Sequence, residues 1–477
     1  MDQAYDFANF RIESLVLRDV GVFKDTRIDF MPSVRVGESE KAEVHLFTGT
    51  NGCGKSTLLY ALASIFDSMQ GGQLVRRRFL SADSMIAYKS DASYGQFGVR
   101  YPEPIYPEKP RPTEPIVTEF GPARLWYNDI SQGMYGAIPQ DDFPRDQHVN
   151  NLPSYKQLHQ NYSQTSTLSA ATFPFAAFAY SGQRTLTHVT LGAIQEVANS
   201  PFESALSFDS TARPHVLIQW IANNRAMAAM AKADEDLIAA EAYDRVLNRI
   251  TSAIREICQL NIQFKVNRSP LSVAVSLDGW QIPFDGLPDG LKSIISWVAD
   301  LTIRLEAIPW TDKSIDMFAQ KIFLFLDEID VHLHPRWQRR ILPAVQKLLP
   351  NAQIFASTHS PFVVGSIENA SVYLLPERGK QLGRSIKASA SGAGKSYRLI
   401  LDETFGIDEE FDVKTESMFD RFYEARDRFL ANMTDEDLLK DAANALASRS
   451  DEARVIVETE LRQVSRRTGK EVRLAQD

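Results

Sequence analysis

Residues 44–63 read VHLFTGTNGCGKSTLLYALA, and the fold is decided there. Gly49, Gly54, Lys55 and Ser56 keep the spacing G-x-x-x-x-G-K-[ST] of a phosphate-binding loop. The flanks agree: Val44-His45-Leu46-Phe47-Thr48 has the character of a buried strand, and Thr57–Ala63 carries helical spacing. Glycines let backbone N–H groups turn toward phosphate oxygens, and the N-terminus of the following helix adds partial positive charge. The expected ATP contacts are Gly49, Asn51, Gly52, Gly54, Lys55, Ser56 and Thr57. Lys55 is expected to reach the β- and γ-phosphates and Ser56 to ligate Mg²⁺.

Outward from this loop, composition narrows the class. A chain of 477 residues has room for two or three domain-sized units. Its 44% hydrophobic and 24% charged residues are ordinary for a soluble globular protein. No apolar run approaches the ~18 residues of a membrane span, and the start, MDQAYDFANF, has neither a basic region nor an apolar signal core. Cys53 and Cys258 form no disulfide framework, so a reducing cytoplasmic location is expected. Within the loop, Cys53 reads as a small filler residue rather than a redox switch. The net charge of −9 argues against a chain that binds nucleic acid over its whole surface. Arg76-Arg77-Arg78 and the trio Arg336, Arg339, Arg340 are local basic clusters. Short runs of this kind read as solvated faces or interfaces ahead of nucleic-acid contacts.

Residues 11–30, RIESLVLRDVGVFKDTRIDF, alternate around Gly21 and predict two antiparallel strands. Residues 71–172 are rich in Pro, Gly, Asn, Gln and Tyr and read as an insertion with turns and irregular loops. An apolar strand over 175–180 returns the chain to a core. Residues 200–260 read as helical, followed by short strands near 264–266 and 273–275 and an amphipathic helix after FDGLPDG.

Two further strand tips carry chemistry. Residues 322–326, IFLFL, form a buried strand ending in Asp327-Glu328. Such a strand is expected beside the phosphate-loop strand, with Asp327 holding Mg²⁺ and Glu328 polarising the attacking water. Gln353–Ser357 is another buried strand, ending in Thr358-His359-Ser360-Pro361, where His359 is placed to sense the γ-phosphate. Pro335 opens a helix whose Trp337, Ile341, Leu342 and Val345 face the core. His332 and His334 have no Cys or third His nearby and read as packing or dimer-contact residues. Residues 392–396, GAGKS, mimic a phosphate loop, but Ser389 replaces its first glycine and no convincing strand precedes it.

The order phosphate loop, LPDGLKS, LDE, DVHLHP, STHSP resembles that of ABC-type ATPases outside membrane transport, similar to the SMC-, RecF- and OLD-like branches. LDEIDVHLHPRWQ and ASTHSPFVV resemble the ATPase heads of bacterial anti-phage systems, closest to the PtuA-like ATPases of Septu and retron systems. The resemblance covers most of 10–75 and 262–405. It implies an α/β fold: an ABC-type head of the P-loop NTPase class with a mixed sheet, inserted loop and helical regions, and a C-terminal helical tail. The implied organisation is 1–70 and 263–405 as the two lobes of the head, and 71–172 as the irregular insertion. Residues 173–200 return to the core, 201–262 form a helical insertion, and 406–477 form a helical interaction region.

The resemblance also assigns roles. Asp327 and Glu328 match the Mg²⁺ and general-base positions, His359 the switch histidine, Asp330 the loop between subunits, and Gln183 the glutamine that completes Mg²⁺ coordination. Pro288, Asp289, Gly290 and Lys292 fall where the signature loop of one head meets the γ-phosphate held by another. Pro288 stands where serine is usual, so a side-chain hydrogen bond is lost. A head-to-head dimer or higher oligomer is implied, with a separate HNH-type nuclease subunit as partner and DNA or a phage component as further candidates. Residues 406–477 are too few and too helical for the Toprim nuclease of OLD proteins. Thr434 and Asp437 there predict a capping box. The resulting expectation is an ATPase that senses or regulates through another protein's nuclease. A PARIS-type sensor paired with a Toprim nuclease and a RecF-like DNA-repair ATPase are the alternatives.

Overall fold

In a computed structural model of the chain, the described residues are 11–32, 42–64, 66, 80–91, 123–126, 172–173, 175–182, 191–195, 201–209, 211–376, 385–432 and 434–474. Gln183 and most of 71–172 lie outside them. The chain divides into two compact units, the second beginning at Leu401.

Three sheets belong to the first unit. β1 (Arg11–Val20) and β2 (Phe23–Asp29) form the expected antiparallel pair, with Gly21 turning the chain at φ 61°. β3 (Glu43–Thr48) runs into α1 (Lys55–Ser64). β4 (Leu80–Asp91) pairs antiparallel with β1, and β5 (Ala123–Trp126) with β4. The reading of 71–172 as irregular is therefore overturned at 80–91. That strand, LSADSMIAYKSD, has too many Ser and Asp residues to show strand propensity, and its pairing with β1 outweighs this.

β6 (Phe175–Tyr180) follows. The helical reading of 200–260 resolves into a turn region at 201–209, α2 (Pro214–Ala233) and α3 (Leu237–Cys258). Arg213 precedes α2 with Pro214 in its first turn, and Asp236 caps α3 by accepting from the Ala239 N–H at 3.0 Å. β7 (Ile262–Arg268), β8 (Leu271–Leu277) and β9 (Trp280–Pro283) form an antiparallel meander with one strand more than expected. β9 is mostly exposed, so no apolar run announced it. α4 (Asp289–Ala307), β10 (Lys321–Leu326), α5 (Pro335–Leu348), β11 (Gln353–Ser357), α6 (Pro361–Val364), β12 (Ser371–Leu374), β13 (Ser385–Ile386), β14 (Ala388–Ala390) and α7 (Tyr397–Ile400) complete the unit.

The central sheet has the order β14-β12-β3-β11-β10-β6, parallel throughout except for β14. Val44–Thr48, Ile322–Leu326, Gln353–Ser357 and Phe175–Tyr180 are all buried, as strands covered on both faces must be. On one face β1 and β2 are stitched to this sheet. Gln353 accepts from the Ile12 N–H at 2.8 Å and donates to the Ile12 carbonyl at 2.9 Å, while Phe30 packs on His45 and Phe355, each with ring centroids 5.1 Å apart.

The order corrects one expectation. β10 does not lie beside β3, because β11 is inserted between them. Before 392–396 stands only β14 among the described residues, antiparallel and three residues long.

The second unit is helical: α8 (Val413–Asn432), α9 (Glu436–Ala447) and α10 (Asp451–Thr468) close over a core that includes Phe422, Phe429, Leu439, Leu446, Val457 and Leu461. The capping box expected from Thr434 and Asp437 does not form. α9 starts at Asp435 in a left-handed conformation (φ 68°) without a side-chain cap. In that conformation the chain enters the helix one residue later than the motif requires. Among the described residues no helix is long and apolar enough to cross a membrane.

Candidate nucleotide site at the strand tips

The phosphate-binding loop is held from both sides where β3 ends. The Leu375 N–H donates to the Thr48 carbonyl at 2.8 Å and the Thr358 N–H to the Phe47 carbonyl at 3.1 Å. Two glycines are required there. At Gly49 (φ +142°) a Cβ would lie 2.6 Å from the Leu375 carbonyl oxygen, and at Gly54 (φ +102°) it would lie 2.6 Å from Val22 Cγ2. Lys55 is nearly buried and its Nζ donates to the Gly49 and Thr50 carbonyls, both at 3.0 Å, so the ammonium sits inside the loop it serves. Cys53 is buried, with its sulfur 3.6 Å from that Nζ. Asn51 and Gly52 are exposed, Ser56 is half-buried and Thr57 is buried. The first N–H groups of α1 have no partner within the helix, as at any helix start, and supply the donors an anion needs.

At the tip of β10, Asp327 and Glu328 are organised by Ser357, the last residue of β11. The Ser357 hydroxyl donates to Asp327 Oδ1 at 2.5 Å and accepts from the Glu328 N–H at 2.7 Å. Glu328 takes a left-handed backbone (φ 48°), which costs a non-glycine residue about 1 kcal/mol. Its side chain passes Gly182, where a Cβ would lie 2.8 Å from Glu328 Cβ and 2.9 Å from Oε2. Asp330 Oδ1 accepts from the Thr358 hydroxyl at 2.6 Å and from the His359 N–H at 3.3 Å.

His359 shows that the three tips converge. Partial burial and the Lys55 charge hold its imidazole below the ordinary value, against Asp330 and Asp327, which raise it. The ring is therefore neutral near pH 7 and feels groups from β3, β10 and their loops at once. Ser357, Thr358 and Gly182 were not singled out from the sequence. The available signal was a buried hydroxyl run, Ser357-Thr358, ending an otherwise apolar strand.

Residues 275–365 match a family model described as "AAA domain, putative AbiEii toxin, Type IV TA system", and residues 10–74 match one described as "AAA domain". The chain thus carries two stretches similar to AAA domains. Among curated proteins it is similar to "Retron Ec83 probable ATPase" of Escherichia coli, 30% identical over 30% of this chain and 25% of that one. It is also similar to "Septu protein PtuA" of Bacillus thuringiensis, 30% identical over 30% of this chain and 37% of that one. The matched stretches thus span 25% and 37% of these relatives' lengths. Among solved structures it aligns with an SMC head bound to the C-terminal winged-helix domain of ScpA (TM-score 0.41, 11% identity, 80% of this chain and 98% of that one). A RecF–ATPrS structure aligns with TM-score 0.38 and 11% identity over 80% of this chain and 99% of that one.

Phe284–Gly286 form one 3-10 turn, and α4 begins after Pro288, which has no side-chain donor or acceptor to cap it. Pro288 and Asp289 are exposed, whereas Gly290 is buried. A Cβ on Gly290 would lie 2.4 Å from the His332 carbonyl oxygen and 3.3 Å from the Trp337 ring. Gly290 therefore has a close-packing duty within its own chain. Lys292 Nζ lies 3.4 Å from Asp289 Oδ1, a loose pair. His332 is exposed, and His334 caps α5 by accepting the Arg336 N–H on Nδ1 at 3.2 Å. Capping, rather than core packing, is what His334 does.

α4 is tied to the strand tips by a buried network. The Tyr180 carbonyl accepts the Asp327 N–H at 2.8 Å, and the Tyr180 hydroxyl donates to Asp300 Oδ2 at 2.9 Å. Arg304 Nε donates to the same Asp300 oxygen at 2.6 Å, and its remaining N–H groups reach the Pro201, Glu203 and Thr211 carbonyls. Burial and the Asp300 charge keep the Tyr180 phenol protonated. α4 is thus joined to the end of β6 through fully desolvated polar groups, whose loss is costly.

Proposed function

We propose that this chain is the ATP-binding and ATP-hydrolysing subunit of a cytoplasmic anti-phage defence complex of the Septu and retron kind, acting through a separate nuclease. The hydrogen bonds that tie the Asp327-Glu328 tip, Asp330 and Thr358-His359 to one another and to the end of the phosphate-loop strand carry the ATPase part of this reading. The retron and Septu relatives support the defence part.

The residues present fit the reactants. Loop N–H groups of 49–57 and the Lys55 ammonium suit the phosphates, and the Ser56 hydroxyl and Asp327 carboxylate are the hard oxygen donors that suit Mg²⁺, with Gln183 as a third. When bound, Mg²⁺ neutralises phosphate charge during transfer to water. Glu328 orients the attacking water and takes its proton. His359, as a neutral imidazole, hydrogen-bonds the γ-phosphate. Pro288, Asp289 and Lys292 of a second copy close over it, with the backbone N–H groups at the start of α4 as donors.

The test is to purify the tagged chain together with the product of the neighbouring reading frame, as wild type and as Lys55→Ala. Recovery of an HNH-type nuclease, with phage protection lost in Lys55→Ala, is the expected result. A Toprim nuclease in the complex would replace this reading with the PARIS-type one. A lone chain whose ATPase is stimulated by DNA would replace it with the RecF-like one.

A further inference from the structure

A groove of about 790 Å³ opens between the end of α3 and the first turns of α5. Gln259 and Leu260 line one wall, and Arg336, Trp337, Arg339 and Arg340 line the other, with no carboxylate among the lining residues. In a chain of net charge −9 a cluster of three arginines without an acid is unexpected. Arg336 and Arg340 form no ion pair among the described residues, and Arg339 is steadied over the Tyr397 ring at 5.7 Å. Positions 336, 339 and 340 share one face of α5, spaced i, i+3, i+4. α3 ends at this groove with its carbonyls, worth about half a negative charge. Three guanidinium groups outweigh that, and the acid nearest the end of α3, Glu256, is already paired with Lys347 at 2.7 Å.

We infer that this groove binds a single-stranded nucleic-acid segment, its phosphates on Arg336, Arg339 and Arg340 and a base against Trp337. Arginine suits this occupant because its planar fork meets phosphate oxygens two at a time. Trp337 lines the groove and is half-buried, its ring edge also against Gly290, and aromatic–base stacking on the part left open supplies sequence-tolerant affinity. An acidic peptide would satisfy the arginines but would leave the indole unused. The site is separate from the phosphate-binding loop and does not depend on ATP hydrolysis.

Anisotropy of fluorescein-labelled (dT)20 titrated with the full chain, from 50 to 200 mM KCl, tests the assignment. Wild type is expected to bind with a log–log salt slope of about −2, since each neutralised single-strand phosphate contributes about −0.7. Arg336→Ala with Arg340→Ala should weaken binding at least about tenfold and flatten the slope by about 1.4. The corresponding Lys pair should keep the slope and lose only part of the affinity. Lys55→Ala should bind (dT)20 as wild type does, so failure of the ATP site and failure of the groove are read separately. No binding by wild type, equal binding by the double alanine variant, or displacement of (dT)20 by polyglutamate at equal chain concentration would each overturn the proposal.

Discussion

The strand tips and the α4 turn belong to one compact unit but are built in opposite ways. At the tips, two carboxylates are fixed by short hydrogen bonds within the chain, Ser357 on Asp327 and Thr358 on Asp330, at 2.5 and 2.6 Å, and Ser357 also holds the Glu328 N–H at 2.7 Å. At the turn, Pro288 and Asp289 project outward, with only the loose 3.4 Å pair between Asp289 and Lys292. One region is pre-organised for chemistry. The other is a firm helix start presenting an unfinished surface. Preorganisation is what electrostatic catalysis needs, because fixed dipoles do not have to reorganise during reaction. If that surface meets a second copy, as proposed above, it needs only a rigid base, which Gly290 supplies against His332.

The largest effect should come from the tips. Glu328→Gln keeps the shape and removes the base, so ATP turnover should fall by about 10²- to 10⁴-fold while ATP binding persists. Single-turnover hydrolysis with labelled ATP measures both. Turnover at the wild-type rate would show that Glu328 is not the base, and the contrast between the two regions would lose its chemical meaning.

Gly290→Ala addresses the turn. The added Cβ would meet the His332 carbonyl at 2.4 Å, and overpacking against backbone costs about 1–3 kcal/mol. Thermal or urea unfolding of the first unit should register that loss. If stability is unchanged and only turnover suffers, Gly290 acts on a partner's phosphate rather than on its own chain, and the turn is less self-contained than its packing indicates.

Ser357→Ala tests whether the hydrogen bonds at the tips matter one by one. It leaves Asp327 and the Glu328 N–H each short of a partner, worth about 1–3 kcal/mol. We expect turnover about tenfold lower, with ATP affinity little changed. A variant as active as wild type would mean that the strand ends alone place the acids.

Much of this was legible in the residues, and the part that was not has a common physical cause. The phosphate loop, the β10 and β11 strands and the parallel core are written in contiguous apolar runs with punctuated ends, so their identities were clear. Strand order was not. Nothing in IFLFLDE says that β11 will lie between it and β3, because neighbours in a parallel sheet are chosen by packing rather than by local pattern. Ser357 and Gly182 were hidden for the same reason, since each matters only through a side chain roughly 30 or 150 positions away. The strand at 80–91 was missed because its pairing with β1 outweighs its own composition. The capping box at Thr434 was over-read because the left-handed Asp435 shifts the helix start.

The smallest effect is expected at Asp289, and it separates the two regions most cleanly. Asp289 is exposed and its one ion pair is loose, so Asp289→Ala should change stability by no more than about 0.5 kcal/mol. ATP binding to the phosphate loop of a lone chain should not change either, because the ion-pair partner of Asp289 among the described residues is Lys292 of its own helix. Any consequence must then come from a second copy closing over the nucleotide. Removing the carboxylate takes negative charge away from the position meant to face a phosphate, and it releases Lys292 from its partner. Turnover measured against protein concentration should therefore rise at lower concentration in Asp289→Ala, by a few-fold, with the plateau unchanged. An identical concentration dependence would remove the second copy from the mechanism and leave the strand tips as a complete site. A lower plateau would make the turn part of the chemistry and not only of the assembly.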